Sequence, residues 1–226
     1  ERIPIRPAPK DEGEGLLFYC SFDRDRRADA ATGADLPVMA RYARQNRTAE
    51  GGTHVDGVFG KALSGRCGRQ GSGDYDALGN FRADRGTVAF HIRQTGMHYG
   101  FEPLMIQTVD PYYWMMYLRL TNKNNRLAAW FPNEVYRPIA LGGGSKASLE
   151  PGKWHHLAVA WDQAFGTRFY VDGREVASNW GKASWTSRGV DPDKIRLEYN
   201  DNVAYDELCI FDHPLSAQEV RALATR

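Results

Sequence analysis

The sequence has few cysteines, and their number is odd. Cys20, Cys67 and Cys209 are the only three in 226 residues, which excludes complete intramolecular pairing. Their spacing matches no zinc-ligand pattern. One disulfide with one free thiol, or three buried thiols, both remain open. An excess of charge of one sign is also missing. Against 29 basic residues stand 28 acidic ones, a net charge of +1. That excludes the broad basic face that wholesale nucleic-acid binding requires. Long apolar runs are absent: no stretch approaches the roughly 20 residues of a helical membrane span. The most apolar windows, such as Leu157 to Trp161, are strand length. Internal repeats are not evident.

What is present describes an ordinary globular chain. Hydrophobic residues make up 42% and charged residues 25%, close to the average for folded domains. The length suffices to bury a core without help from disulfides, and β-sandwiches of this size commonly fold as one unit. Residues 1–14 carry prolines and charges but no apolar period, and they read as a tail or linker. The opening Glu1-Arg2-Ile3-Pro4-Ile5-Arg6-Pro7 has the character of a linker or of a mature N-terminus whose leader has been removed. The expected domain is 15–226.

Within it, short strand patterns recur. Leu16 to Asp23 is a short apolar run suited to a buried strand. Residues 24–56 are a polar, charged excursion with one strand expected around Val38 to Tyr42, and loops this long tend to be functional. Gly86 to Arg93 alternates, with Val88, Phe90 and Ile92 on one face and His91 on the other. Further strands are expected at Leu104 to Val109, Tyr113 to Leu120, Leu127 to Phe131, His156 to Asp162, Thr167 to Val171, Arg174 to Ala177, Lys194 to Tyr199 and Ala204 to Phe211. Asp172-Gly173 reads as a tight hairpin turn. The spacing is too close for helical crossovers between parallel strands. One helix is expected, at the end, where Ser216-Ala217-Gln218-Glu219 forms a capping box and Leu215, Val220 and Leu223 share an apolar side. By alternation Cys20 travels with Phe18 and Phe22, while Cys209 lies opposite Leu208 and Ile210. If both apolar sets face the core, the two thiols sit on opposite faces and stay unpaired.

Several segments carry a family resemblance. They are Gly57-Val58-Phe59-Gly60-Lys61-Ala62-Leu63, Gly86-Thr87-Val88-Ala89-Phe90-His91-Ile92-Arg93, and Gly152-Lys153-Trp154-His155-His156 continuing through Trp161-Asp162 to Arg168-Phe169-Tyr170-Val171-Asp172-Gly173. Ala204-Tyr205-Asp206-Glu207-Leu208-Cys209-Ile210-Phe211-Asp212-His213-Pro214-Leu215-Ser216 closes the domain in the same manner. Together these segments resemble the laminin G-like jelly rolls of the concanavalin A-like superfamily. The resemblance implies an all-β, two-sheet antiparallel jelly-roll sandwich with one short C-terminal helix. It also implies a ligand on the concave face or loop rim, a calcium near the chain ends, and a secreted, periplasmic or surface location in a larger multidomain protein. Asp23 and Asp206 are the residues that could hold that calcium, with backbone carbonyls completing its six to eight oxygens. The plainer alternative is that both end strands and accept backbone amides. Catalytic relatives often carry Glu-x-Asp-x-x-Glu on one strand. That motif is missing here, and Glu198-Tyr199-Asn200-Asp201 has the wrong spacing.

The fold hosts many functions, so the site must be argued from side chains. Aromatics are plentiful: six Trp, eleven Tyr and ten Phe. Flat rings match the apolar C–H faces of sugars. Tyr112, Trp114, Trp130, Tyr136, Trp180 and Trp185 fall in or near expected loops and strand starts, whereas Trp154 and Trp161 are assigned to the core. Arg41 and Arg44, with Arg47 and Tyr42, could clamp carboxylate or sulfate groups, although a solvated loop is the plainer reading. Asp74 and Asp76 share one face of a strand, as a metal or acid pair or as a solvated edge. His155 and His156 face opposite sides and cannot share a metal. The expected function is a carbohydrate-binding module whose partner is a polysaccharide or glycan. A polysaccharide lyase or glycoside hydrolase on the same fold, with His98, Tyr99 and Arg93 as imaginable lyase residues, is one alternative. An adhesion module that binds protein is the other.

Overall fold

A computed structural model describes residues 14–38, 51–67, 72–95, 101–108, 114–121, 126–132, 138–142, 148–180, 192–198 and 202–225. In chain order the elements are β1 (Leu16–Cys20), β2 (Ala30–Ala31), β3 (Pro37–Val38), β4 (Gly51–Asp56), β5 (Lys61–Cys67), β6 (Ser72–Asp76), β7 (Arg85–Gln94) and β8 (Phe101–Thr108). Then follow β9 (Trp114–Thr121), β10 (Arg126–Pro132), β11 (Pro138–Gly142), β12 (Trp154–Asp162), β13 (Gly166–Val171), β14 (Arg174–Ser178), β15 (Pro192–Glu198), β16 (Val203–Phe211) and α1 (Ala217–Ala224). The chain is all-β apart from α1.

Two antiparallel sheets form. One runs β14-β13-β12-β7-β16-β1-β2, with β5 on β16 and β4 on β5. The other runs β11-β10-β9-β8-β15-β6-β3. The alternation in β7 and β12 sends Val88, Phe90, Ile92, Leu157, Val159 and Trp161 into the core, where they meet Tyr75, Leu104, Ile106, Leu118, Ile195 and Leu197 of the second sheet. The jelly-roll sandwich expected from the sequence is therefore present. Trp161 is fully buried and stacks on Phe81 at 4.9 Å between centroids.

The outer face of the first sheet is a separate apolar layer. Tyr19, Ala89, Ala158, Ala160, Tyr170, Cys209 and Phe211 lie there beneath Leu215, Val220 and Leu223. The alanines leave room for a helix. The capping box forms as the sequence indicates: Glu219 N–H donates to Ser216 Oγ at 3.3 Å, and Ser216 N–H to Glu219 Oε2 at 2.7 Å.

The structure extends the sequence reading in places. β2, β4 and β11 appear where no strand was expected, and the 39–42 part of the expected Val38 to Tyr42 strand lies outside the described residues. Trp154 is not core: it is half-buried, with the Arg93 guanidinium 4.9 Å above its ring. Asp172 and Gly173 take φ 51° and 71°, the two positive values that a tight two-residue hairpin needs.

Cys20 sits in the inner core and Cys209 in the layer under α1. Both are buried free thiols, and burial raises both thiol pKa values. Neither should react with a thiol reagent in the native state, and both should react in urea. A reagent count showing Cys20 and Cys209 already oxidised to one another would contradict this placement.

Gly86 packs where no side chain fits. A Cβ there would lie 2.6 Å from Trp161 Cζ2 and 2.8 Å from the Phe211 carbonyl oxygen. Gly86→Val should cost roughly 1–3 kcal/mol through overpacking, read as a lower urea midpoint with an unchanged m-value.

Candidate functional site

Two clusters of polar or aromatic side chains bear on the expected site residues among those described. The first is where the chain's beginning meets its end. β1 pairs antiparallel with β16, so Asp23, just beyond β1, and Asp206, inside β16, approach the same turn, Gly57 to Lys61. Asp206 Oδ2 accepts the N–H groups of Val58 at 2.7 Å and Phe59 at 3.2 Å. Asp23 Oδ1 accepts Lys61 N–H at 2.6 Å. Gly57 is needed for this approach, since a Cβ would come within 2.5 Å of Asp206 Oδ2. Each aspartate adjoins a non-glycine residue with positive φ, Phe22 at 60° and Glu207 at 54°, conformations that cost energy for a side chain with a Cβ.

Asp206 is fully buried, and its Oδ1 has no hydrogen-bond partner among the described residues. Burial pushes its carboxyl up to about 8; the Phe59 and Val58 amides work against this, and the neighbouring Glu207 and Asp23 add to it. Glu207 is better served, because Tyr19 Oη donates to its carboxylate at 3.0 Å. Among the described residues no three His, Cys, Asp or Glu side chains gather as a metal cluster.

The second place is the end of the β12–β13 hairpin. Phe165 sits in its turn and is 58% exposed. Its ring stacks beside Trp180 at 6.1 Å and 20°. The Arg168 guanidinium lies 4.1 Å from the Trp180 ring centroid, within cation–π range. Glu175 approaches Arg168 at 3.9 Å. The mounting is stiff: Thr167 N–H donates to Asn179 Oδ1 at 2.7 Å, Asn179 N–H to the Thr167 carbonyl at 3.0 Å, and Trp180 N–H to Ser178 Oγ at 3.0 Å. The exposed Phe165 ring beside charged donors and acceptors suits a sugar ring, which shows C–H on its faces and hydroxyls around its edge.

Trp180 is thus the one expected aromatic contact with a described side chain. Trp114 opens β9, and Trp130 pairs with Tyr117 of β9; only their backbones are described. Tyr112, Tyr136, Trp185, Arg41 and Arg44 lie outside the described residues, as do His98 and Tyr99. The register sets Asp74 opposite Arg196 and Asp76 opposite Lys194. Phe165 was missed from sequence. The signal available was a large aromatic inside the turn Gln163-Ala164-Phe165-Gly166, where polar residues are usual.

The family model described as the concanavalin A-like lectin/glucanases superfamily matches residues 70–221. The chain belongs to that superfamily. No curated protein sequence matches it. Among solved structures, domain 4 of AbnA, a GH43 extracellular arabinanase from Geobacillus stearothermophilus in complex with arabinotriose, is similar over 94% of this chain and 100% of that one, at 20% identity and a TM-score of 0.68. The binding domain of Paraclostridial Mosquitocidal Protein 1 is similar over 93% of this chain and 52% of that one, at 16% identity and a TM-score of 0.67. The Trypanosoma rangeli sialidase in complex with the inhibitor DANA is similar over 92% of this chain and 32% of that one, at 14% identity and a TM-score of 0.62. At such identities the likeness is one of fold.

This concanavalin A-like domain also buries a cluster of titratable groups that serves the fold. His91 and His156 are cross-strand partners with rings 4.9 Å apart. The void beside them, lined also by Phe59, Ala89, Glu207, Cys209 and Leu223, holds about 10 Å³, far below the roughly 300 Å³ at which ligand pockets begin. His155 is structural as well. Its Nε2 accepts Glu150 N–H at 2.8 Å, so its proton sits on Nδ1, 2.8 Å from Asp172.

Burial lowers His91 to about 4 and His156, with His91 beside it, to about 3. The unfolded chain takes up those two protons near 6.5, whereas the folded domain does not, so stability falls as pH drops from about 6.5 to 4. Asp206 acts oppositely, keeping its proton up to about 8 when folded. Two imidazoles outweigh one carboxyl across the window. In His91→Gln the loss of stability on acidification should be shallower by about 1.4 kcal/mol per pH unit. Urea midpoints between pH 7 and pH 5 that fall in parallel for both proteins would refute this.

Proposed function

We propose that this domain is a carbohydrate-binding module of a secreted or surface protein, and that its sugar contact includes the Phe165–Trp180 platform. The observation that carries this reading is the stacking of the exposed Phe165 on the half-buried Trp180, with Arg168 and Glu175 beside them. Trp and Arg side by side are enriched among binding hot spots. The fold shared with domain 4 of the arabinanase, solved with arabinotriose, supports a saccharide partner and makes arabinan oligosaccharides the first to try.

Trp180→Ala should weaken binding of whichever oligosaccharide the wild type retains by roughly tenfold to a hundredfold, with Phe165→Ala following the same direction. Calorimetry or affinity electrophoresis against a polysaccharide panel measures this. Full retention of affinity in both variants would remove the platform from the site, and no binding to any glycan would remove the reading.

Calcium at the junction of the chain ends belongs to the same proposal. The residues present fit in part. Asp206 Oδ1 is a buried oxygen with no hydrogen-bond partner among the described residues, and a divalent cation would displace the carboxyl's proton and take that oxygen as a ligand. Asp23 is the second carboxylate at the turn, and backbone carbonyls would have to complete the set. Bound calcium would supply structural charge neutralisation for the rim. Calcium at about 100 times its Kd should then stabilise the domain by about 2.7 kcal/mol, several degrees in Tm, and Asp206→Asn should lose the response. An equal Tm with calcium and with chelator would exclude the ion.

A further inference from the structure

A groove of about 370 Å³ lies between the residues that follow β1 and strands β3 to β5. Its lining carries three guanidiniums, Arg24, Arg26 and Arg27, against one carboxylate, Asp25, with His54 on the wall and Leu36 and Pro37 beside them. The volume falls within the range of small-molecule sites, about 300–1,000 Å³.

The groups in it are held differently. Arg27 is already paired with Asp35 at 2.6 Å, and Asp25 Oδ1 accepts Arg27 N–H at 2.6 Å. Arg26 is among the lining residues but only 7% exposed. Arg24 and His54 are exposed. Leu36 is 49% exposed, which puts apolar surface next to the cations.

That combination matches a sugar bearing a carboxylate. A uronate ring presents a C–H face to Leu36 and Pro37, and its carboxylate takes the forked N–H donors of an arginine, as planar anions do. A neutral sugar would desolvate the same guanidiniums without return. We propose that this groove is a subsite for the carboxylate of an acidic saccharide, with the exposed Arg24 as its clamp. The proposal rests on the carbohydrate-binding reading and names the ligand class for it.

The test is calorimetry with an oligogalacturonate and with the same oligomer methyl-esterified, on wild type, Arg24→Ala and His54→Ala. Circular dichroism checks that each variant is folded. The free acid should bind wild type about tenfold more tightly than the ester, as expected for hydrogen bonds to a charged group. Arg24→Ala should remove most of that difference while the ester's affinity stays unchanged, and added salt should weaken the acid alone. His54→Ala, at another lining residue, should narrow the difference in the same direction. Equal affinity for acid and ester, or a difference that survives Arg24→Ala, overturns the groove while leaving the aromatic platform standing. Failure of both oligomers to bind, in a protein that retains arabinan or another neutral glycan, overturns the acidic class alone. Failure of every glycan overturns both readings.

Discussion

The strand on which everything else depends is the last one. β16 lies in the middle of its sheet, hydrogen-bonded to β1, β7 and β5, and all nine of its residues are buried. Its inner face packs on the second sheet and its outer face is covered by α1. The first and last strands are therefore neighbours, and the sheet cannot be completed from local contacts. Pairings of such large sequence separation carry a loop-closure cost before they gain anything. A strand buried on both faces should be apolar throughout. Asp206 and Glu207 break that rule side by side, at a bulge between Asp206 and Cys209.

The two exceptions are handled unequally. Glu207 takes the hydroxyl of Tyr19, a residue on the neighbouring strand. Asp206 receives two amides on one oxygen and nothing described on the other. The positive φ of Phe22 and Glu207 beside the two aspartates adds backbone strain at the same point, and strain of that kind gathers where a site has been shaped for a purpose beyond packing.

Much of this was legible in the sequence because burial on one face imposes a period. The alternation of Gly86 to Arg93, the Asp172-Gly173 hairpin, the capping box at Ser216 and the opposite faces of Cys20 and Cys209 each follow from local rules. β4 and β11 were not legible. Gly51-Gly52-Thr53-His54 and Pro138 to Gly142 have weak strand character, and they are strands because β5 and β10 offer them a ladder. Trp154 shows the converse. Its place in the Trp-His-His segment suggested core, yet it stands at the first position of β12 and lies half-buried under Arg93. Of the candidate site, Trp180 stood out in the sequence as an aromatic near a loop, while Phe165 was hidden in a turn and the glycines beside Asp23 and Asp206 were read only as part of a family segment.

The aromatic platform occupies a place with a second demand on it. β14 is the edge of its sheet, and an exposed edge offers unpaired backbone groups to any passing strand. Arg174 and Glu175 are exposed on it, and charges at an edge deter that pairing. The same charged neighbourhood flanks Trp180, through Glu175 and Arg168. A peptide strand would have to desolvate these charges to reach the backbone. A saccharide need not, because its hydroxyls can bond the charged side chains while its ring covers the aromatic face. The chemistry that protects the edge from protein is therefore compatible with a sugar, which is why the hairpin end can stay aromatic and exposed without becoming a site of aggregation.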